Sequence, residues 1–221
     1  MKAFLLAAGL GTRLRPLTYT VPKCLLLVRN KPLLAWWAEL LLHHGITEVL
    51  VNTHYLPEQV SAFIDAYNAQ ETGLMLHAYH EDELLGSGGT VLSNEHFLGK
   101  DEDFFICYAD SLTDIDLSTM FAFHKLHTGV LTMALFQTDK PEECGIAEID
   151  DDSRIIDFVE KPDHPKSGLA NAGVYIANRG LFKSTFGEGF LDFGQDVLPA
   201  LVGNMYGYEV SDYLIDIGTF D

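Results

Sequence analysis

Lys2-Ala3-Phe4-Leu5-Leu6-Ala7-Ala8-Gly9-Leu10-Gly11-Thr12-Arg13-Leu14-Arg15-Pro16 opens the chain, and Pro22-Lys23 follows closely. An apolar run of strand length that empties into two glycines reads as a strand followed by a loop, where open α/β sheets hold their ligands. Glycine lets the backbone approach an anion closely and turn its N–H groups toward it, while Arg13 and Lys23 add fixed positive charge suited to a triphosphate. The stretch therefore predicts a nucleotide-binding α/β protein. Two better-known glycine loops do not fit. Leu14 stands where the dinucleotide fingerprint needs its third glycine, and no G-x-x-x-x-G-K-[ST] segment occurs. A plain strand-to-loop turn is the simpler alternative.

Beyond that loop, apolar runs alternate with helical periodicity, the pattern of βαβ units on a mostly parallel sheet. Strands are expected near Lys2–Ala7, Glu48–Asn52, Leu74–His80, Phe104–Tyr108 and Val130–Gln137. Helices are expected at Pro32–His44, Pro57–Asn68, Ser87–Phe97 and Leu117–His127, with Gly45 and Gly129 suited to end two of them. That is a three-layer α/β/α sandwich. After Gln137 the runs shorten to Gly145–Ile149 and Ile155–Glu160, joined by Asp150-Asp151-Asp152-Ser153, which is turn chemistry between antiparallel strands. The expected organisation is one domain over 1–221, with a nucleotide-binding part over about 1–137 and a small antiparallel lobe over 138–221.

The chain has 221 residues, 48% of them hydrophobic, and a formal net charge of −18. Such a surface repels a phosphate backbone, which argues against nucleic acid as a partner. Cys24, Cys107 and Cys144 form no C-x-x-C pair, and an odd, widely spaced set fits reduced thiols in a cytosol. Lysine beside Cys24 could lower its pKa, but packing explains that thiol more simply. The apolar start is interrupted by glycines and arginines too soon for a signal peptide, so a cytoplasmic location is expected. Pro32–Ile46, the longest apolar segment, is too short for a membrane and carries Glu39, His43 and His44. His77 and His80 sit at an odd spacing on one strand, and no H-E-x-x-H occurs, which disfavours zinc.

Gly9-Leu10-Gly11-Thr12-Arg13-Leu14-Arg15-Pro16-Leu17-Thr18 with Pro22-Lys23 resembles the signature of the sugar-1-phosphate nucleotidylyltransferases, or NDP-sugar pyrophosphorylases. The resemblance implies a Rossmann-like nucleotide-diphospho-sugar transferase fold and a reaction in which a sugar 1-phosphate attacks the α-phosphorus of a nucleoside triphosphate, giving a nucleotide-sugar and pyrophosphate. It implies that Leu6, Ala8, Gly9, Gly11 and Thr12 surround the nucleotide and that Arg13 and Lys23 hold the leaving pyrophosphate. Glu81-Asp82-Glu83-Leu84-Leu85-Gly86-Ser87-Gly88-Gly89-Thr90-Val91 lies where that family grips the base. There Gly86, Gly88 and Gly89 would bring backbone to the base edge, Glu81 would read its exocyclic amine, and Ser87 would cap the helix. A merely capped turn is the alternative.

Phe104 to Asp110 is an apolar strand ending in a carboxylate, and Tyr213-Leu214-Ile215-Asp216-Ile217-Gly218-Thr219 resembles the family's D-x-G-T segment. The resemblance makes Asp110 and Asp216 joint ligands of one Mg2+; nothing in the sequence itself brings them together. Ala109 departs from the glycine or asparagine usual before this aspartate. Phe158-Val159-Glu160-Lys161-Pro162 resembles the E-K-P segment and Asn171-Ala172-Gly173-Val174-Tyr175 the N-x-G segment. Lys161 would then neutralise the attacking phosphate, with Glu160, Asn171 and Gly173 around the sugar. Asp114-Ile115-Asp116 has the D-x-D form of metal-dependent glycosyltransferases, although a helix N-cap at Asp116 explains it more simply.

Two anions must meet in this reaction, and Arg13, Lys23, Lys161 and magnesium would absorb their charge. A sugar phosphate is already nucleophilic, so no general base is needed. Leu85-Gly86-Ser87-Gly88-Gly89-Thr90-Val91 is similar to the form found in heptose and mannose 1-phosphate guanylyltransferases, which favours GTP with manno-heptose or mannose 1-phosphate. UTP- or dTTP-dependent enzymes acting on N-acetylmuramate or glucose 1-phosphate, and a non-catalytic nucleotide-sugar sensor, remain the alternatives. The sequence stops two residues after Thr219, where such enzymes usually continue, so a monomer or a homodimer through the main domain is expected.

Overall fold

A computed structural model describes residues 1–184, 186, 189–211 and 213–218. Thr219, the last residue of the D-x-G-T segment, lies outside them. In chain order the elements begin with β1 (Lys2–Leu6), β2 (Leu27–Val28), β3 (Lys31–Pro32), α1 (Leu33–His43), β4 (Glu48–Thr53), α2 (Pro57–Asn68) and β5 (Met75–His80). There follow α3 (Gly86–Ser93), β6 (Asp103–Tyr108), β7 (Ser111–Thr113), α4 (Leu117–His124), β8 (Leu131–Gln137), β9 (Gly145–Ile149) and β10 (Ile155–Glu160). The last are β11 (Leu169–Asn178), α5 (Leu198–Leu201), β12 (Met205–Glu209) and β13 (Leu214–Asp216). The fold is α/β with a large, mostly parallel central sheet and small antiparallel additions.

The chain divides into two compact units, interleaved in sequence. The first comprises Met1–Leu84, Ile106–Ile115 and Asp212–Asp221, and the second Leu85–Phe105 and Asp116–Ser211. In the first unit β1 pairs in parallel with β4, Lys2 opposite Glu48, and β4 in parallel with β5, Glu48 opposite Met75. Parallel strands covered on both faces read as unbroken apolar runs. Ala3, Phe4, Leu5, Val49 and Val51 are accordingly buried, with Leu33, Leu34, Trp37 and Leu41 of α1. As expected, Gly45 ends α1: at φ +77 it lets its own N–H reach the Leu42 carbonyl and the Ile46 N–H that of Leu41, both at 3.0 Å.

In the second unit β8 pairs antiparallel with β11 and parallel with β12, and β9 pairs antiparallel with β10 around the Asp150–Ser153 turn. The β8/β11 register breaks between Asn171 and Tyr175. Gly129 does not end α4, which stops at His124. A Cβ there would come within 2.9 Å of the Asn204 carbonyl oxygen, so Gly129 serves a close approach of backbone to backbone. Among the described residues no helix is long and apolar enough to cross a membrane.

His124, on the buried side of α4, is 4% exposed. Its Nδ1 lies 2.8 Å from the Thr132 hydroxyl and its Nε2 3.5 Å from Asp103. Burial holds this imidazole below its ordinary value, with Asp103 pulling the other way. A folded-state value below the unfolded one means stability that is complete above about pH 6.5 and is lost as the pH falls through that value. Urea unfolding between pH 7.5 and 5 should therefore show the wild type losing stability relative to His124→Gln. A pH-independent difference between them would contradict this.

Candidate active site

In the first unit the strand β1 delivers the glycine loop. Gly11 sits at φ +61, a region side chains resist, and a Cβ on it would come within 2.9 Å of Thr18 Cγ2. The Thr18 hydroxyl donates to the Gly11 carbonyl at 2.7 Å, and buried Leu14 anchors the short turn Thr12–Leu14. Gly9, Thr12 and Arg13 stay exposed, whereas Leu6 and Ala8 are buried behind the loop. Asn52, buried at the end of β4, accepts from the Ala7 N–H at 2.6 Å and donates to Glu81 at 2.9 Å. Glu81 is itself only 3% exposed. One of its oxygens thus holds Asn52, which in turn holds the Ala7 N–H ahead of the glycine loop.

Lys23 is nearly buried, with a side chain 10% exposed, and lies beside two carboxylates, 3.0 Å from Asp110 Oδ2 and 3.8 Å from Asp216 Oδ1. Those carboxylates are 46% and 60% exposed. The antiparallel pairing of β7 with β13 explains the meeting of residues so far apart in sequence. It sets Asp216 opposite Ser111, and the Ile217 N–H donates to the Asp110 carbonyl at 2.9 Å. Ala109, the departure from the usual residue, is buried, and its N–H donates to the Leu6 carbonyl at 3.0 Å. Two half-exposed carboxylates converging on one ammonium are a hard-oxygen donor pair of the kind magnesium takes. Among the described residues no group of three or more His, Cys, Asp or Glu gathers as a metal site, so this pair stands as two carboxylates alone. Burial pushes the Cys24 thiol up to about 12, so its lysine neighbour leaves it an inert packing residue.

In the second unit the glycine helix α3 is engaged by a distant segment. Gly86, at φ +80, packs so tightly that a Cβ would overlap the Leu191 carbonyl oxygen, and that oxygen accepts from the N–H groups of Gly88 and Gly89 at 2.8 and 3.1 Å. Expectation and structure part here. Those N–H groups are occupied by Leu191 rather than open to a base, because the helix end needs a carbonyl to satisfy its orphan donors. Ser87 makes no cap on α3. Its hydroxyl donates to Asp192 at 3.0 Å and accepts from the Phe193 N–H at 2.8 Å, while Asp192 caps the single π-helical turn Phe193–Val197.

Glu160 ends β10 as a half-buried carboxylate against Gly145 and Gly194. Burial pushes its carboxyl above the ordinary value, Lys161 opposes the rise and Asp192 adds to it. Lys161 is exposed at φ +48, and its N–H donates to the Cys144 carbonyl at 3.0 Å. Gly173, at φ +71, donates its N–H to Asn171 Oδ1 at 3.0 Å, and Asn171 Nδ2 donates to the Tyr175 hydroxyl at 2.7 Å. Each end of the Asn171 amide keeps a further hydrogen-bonding position for a ligand. Tyr175 in turn stacks on Phe193, ring centres 5.3 Å apart.

The D-x-D reading does not survive. Asp116 caps α4, accepting from the Ser118 and Thr119 N–H groups at 3.0 Å each, and Asp114 accepts from the Tyr213 N–H at 2.8 Å. Sequence reasoning missed Asn52 and Asp192. A polar residue closing the buried run of β4 was a signal for the first, and an aspartate opening a helical turn before Phe193-Gly194-Gln195 for the second.

Structures already solved share this α/β architecture over the whole chain. A Bacillus anthracis protein described as a candidate glucose-1-phosphate thymidylyltransferase, crystallised with sucrose, superimposes with a TM-score of 0.89 at 26% identity, covering 100% of this chain and 91% of its own. HddC from Yersinia pseudotuberculosis, crystallised with GMP-PN, gives a TM-score of 0.82 at 23% identity over 99% of this chain and 94% of its own, a likeness of fold. The chain belongs to the nucleotidyl transferase family, whose sequence profile matches residues 2–221. It is 32% identical over 223 residues to the mannose-1-phosphate guanyltransferase of Aspergillus fumigatus and 33% identical over 222 residues to the mannose-1-phosphate guanylyltransferase catalytic subunit beta of Danio rerio. Each alignment covers 99% of this chain and 61% of the relative, so the chain spans about three-fifths of the length of those proteins.

The clamp on α3 has a measurable consequence. Gly86→Ala combines a left-handed backbone with overlap against main chain, and should lower unfolding stability by about 2 kcal/mol or more in urea titrations. A loss below about 0.5 kcal/mol would mean that Leu191 does not hold the helix end.

Proposed function

We propose that the chain is a sugar-1-phosphate nucleotidylyltransferase that makes a GDP-sugar and pyrophosphate from GTP and mannose 1-phosphate, with manno-heptose 1-phosphate as the related sugar. The observation that carries the reading is the convergence of Lys23 with Asp110 and Asp216 beside the family's glycine loop, in a chain whose curated relatives are named for mannose-1-phosphate guanylyl transfer. Arg13 and Lys23 serve the β- and γ-phosphates, and Lys161 serves the sugar phosphate. Leu6, Ala8, Gly9, Gly11 and Thr12 shape the nucleotide side, with Glu81 acting through Asn52. Glu160, Asn171 and Gly173 receive the sugar. One domain would thus bind the nucleotide through its earlier part and the sugar phosphate through its later one.

Asp110 and Asp216 would hold Mg2+, which when bound offsets charge on the phosphates. A sugar-phosphate oxygen forms the new bond to the α-phosphorus as the bond to the bridging oxygen of pyrophosphate breaks. The nucleophile carries its own negative charge, so no residue needs to take a proton. Cationic side chains and alignment supply the acceleration, by neutralising two anions and fixing the line of attack. Three cysteines without a disulfide support a reducing, cytoplasmic setting.

Pyrophosphate release tests the reading, with GTP, UTP, dTTP, ATP and CTP each crossed against mannose, manno-heptose, glucose and N-acetylmuramate 1-phosphates. Turnover with GTP and mannose 1-phosphate is expected. A signal confined to dTTP and glucose 1-phosphate would move the assignment to the activity named for the Bacillus anthracis structure, and nucleotide-sugar binding without turnover would make the protein a sensor. In the active pair, Lys23→Ala should lower kcat at least about 100-fold, as expected for loss of a charge on the leaving group. Near wild-type pyrophosphate release in that variant would remove Lys23 from the reaction. Asp216→Asn should abolish magnesium-dependent turnover.

A further inference from the structure

We propose that Lys23 is an internal counter-cation: in the nucleotide-free protein its ammonium occupies the Asp110–Asp216 carboxylate pair, and a divalent cation enters only as the lysine leaves. The proposal rests on the reading of those aspartates as metal ligands. Three observations carry it. The ammonium lies 3.0 Å from Asp110 Oδ2 and 3.8 Å from Asp216 Oδ1, between the donors a metal would take. The carboxylates are anchored by main chain, Asp216 through the β7/β13 ladder and Asp110 through the bond from Ile217 to its carbonyl. The lysine reaches them on a long side chain whose stem runs beneath the glycine loop, its Cβ 3.4 Å from where a Gly11 Cβ would stand.

When a metal arrives, the movable partner is therefore the lysine. Two cations on one carboxylate pair repel, and a displaced ammonium in a largely buried position needs another anion. A triphosphate over the adjacent loop offers one. Metal binding and lysine binding to phosphate then favour each other, and by linkage each penalises the other's absence. The arrangement makes Lys23 a positioning residue for the metal as well as a partner for phosphate, and it offsets half the charge of the carboxylate pair between turnovers.

The test is Mn2+ affinity of the nucleotide-free protein, read as free Mn2+ by electron paramagnetic resonance, which needs no turnover. Lys23→Met should bind Mn2+ roughly two- to fivefold more tightly than wild type, since a competing ion pair of ordinary strength is gone. Lys23→Arg, which keeps a cation at the pair, should bind as weakly as wild type. So should Lys100→Met, which removes an exposed charge outside the site and so controls for net charge. Lys23→Met binding no more tightly than wild type would overturn the exchange while leaving the metal ligands intact. Asp110→Asn and Asp216→Asn binding Mn2+ as well as wild type would instead overturn the metal reading itself. A readout on wild-type protein guards against misfolding of the variants: in 15N-lysine spectra the Lys23 ammonium signal should shift as Mg2+ saturates the site, and a signal that stays in place at saturation would contradict the proposal.

Discussion

The cation of Lys23 beside the carboxylates of Asp110 and Asp216 is the constraint on which the first unit is organised. With a formal net charge of −18, each cation must offset carboxylates, and this one is nearly buried. A strand end, a short antiparallel ladder and a turn behind a glycine loop each contribute one charge to the same point. Remove the ladder and Asp216 has no reason to stand near Asp110; remove the loop and Lys23 has no buried path to either. The chemistry proposed for the chain follows from that economy, because a reaction between two anions needs positive charge delivered to fixed oxygen donors.

The second unit is held differently. There the controlling interactions are neutral hydrogen bonds and close packing. The Leu191 carbonyl receives two N–H groups from α3, Ser87 ties that helix to Asp192, and Asp192 starts the turn that carries Phe193 onto Tyr175. Asn171, bonded to Tyr175, thereby belongs to the same connected set as Ser87. Glu160 shares the region as a half-buried acid whose proton affinity is raised by burial, and Lys161 beside it is the exposed charge.

Much of this was legible before any coordinates. The strands β1 and β4 were visible because parallel strands covered on both faces are continuous apolar runs, and α1 and α2 because their apolar spacing is helical. Asp116 as a helix cap could be read from local chemistry alone. What could not be read were partners supplied from afar. Gly86, Ser87 and Gly88 looked like a cradle for a base, yet a segment roughly a hundred residues later occupies the N–H groups of Gly88 and Gly89 and the Ser87 hydroxyl. Nothing local revealed that Asn52 would bond an oxygen of Glu81. Gly129 looked like a helix stop, whereas the demand on it comes from β12. Asp110 and Asp216 were joined only by resemblance to a family, since a two-strand ladder of three residues leaves no mark in the sequence.

The interaction at the centre of this account is open to a direct measurement: a double-mutant cycle on unfolding free energy with Lys23→Met, Asp110→Asn and the pair together. A partly buried ion pair at 3.0 Å predicts a coupling of about 0.5–1 kcal/mol, diminished at high salt. Additive effects, with a coupling of zero at low ionic strength, would mean that Lys23 and Asp110 stand near each other without holding each other, and the account of the site would fail at its base.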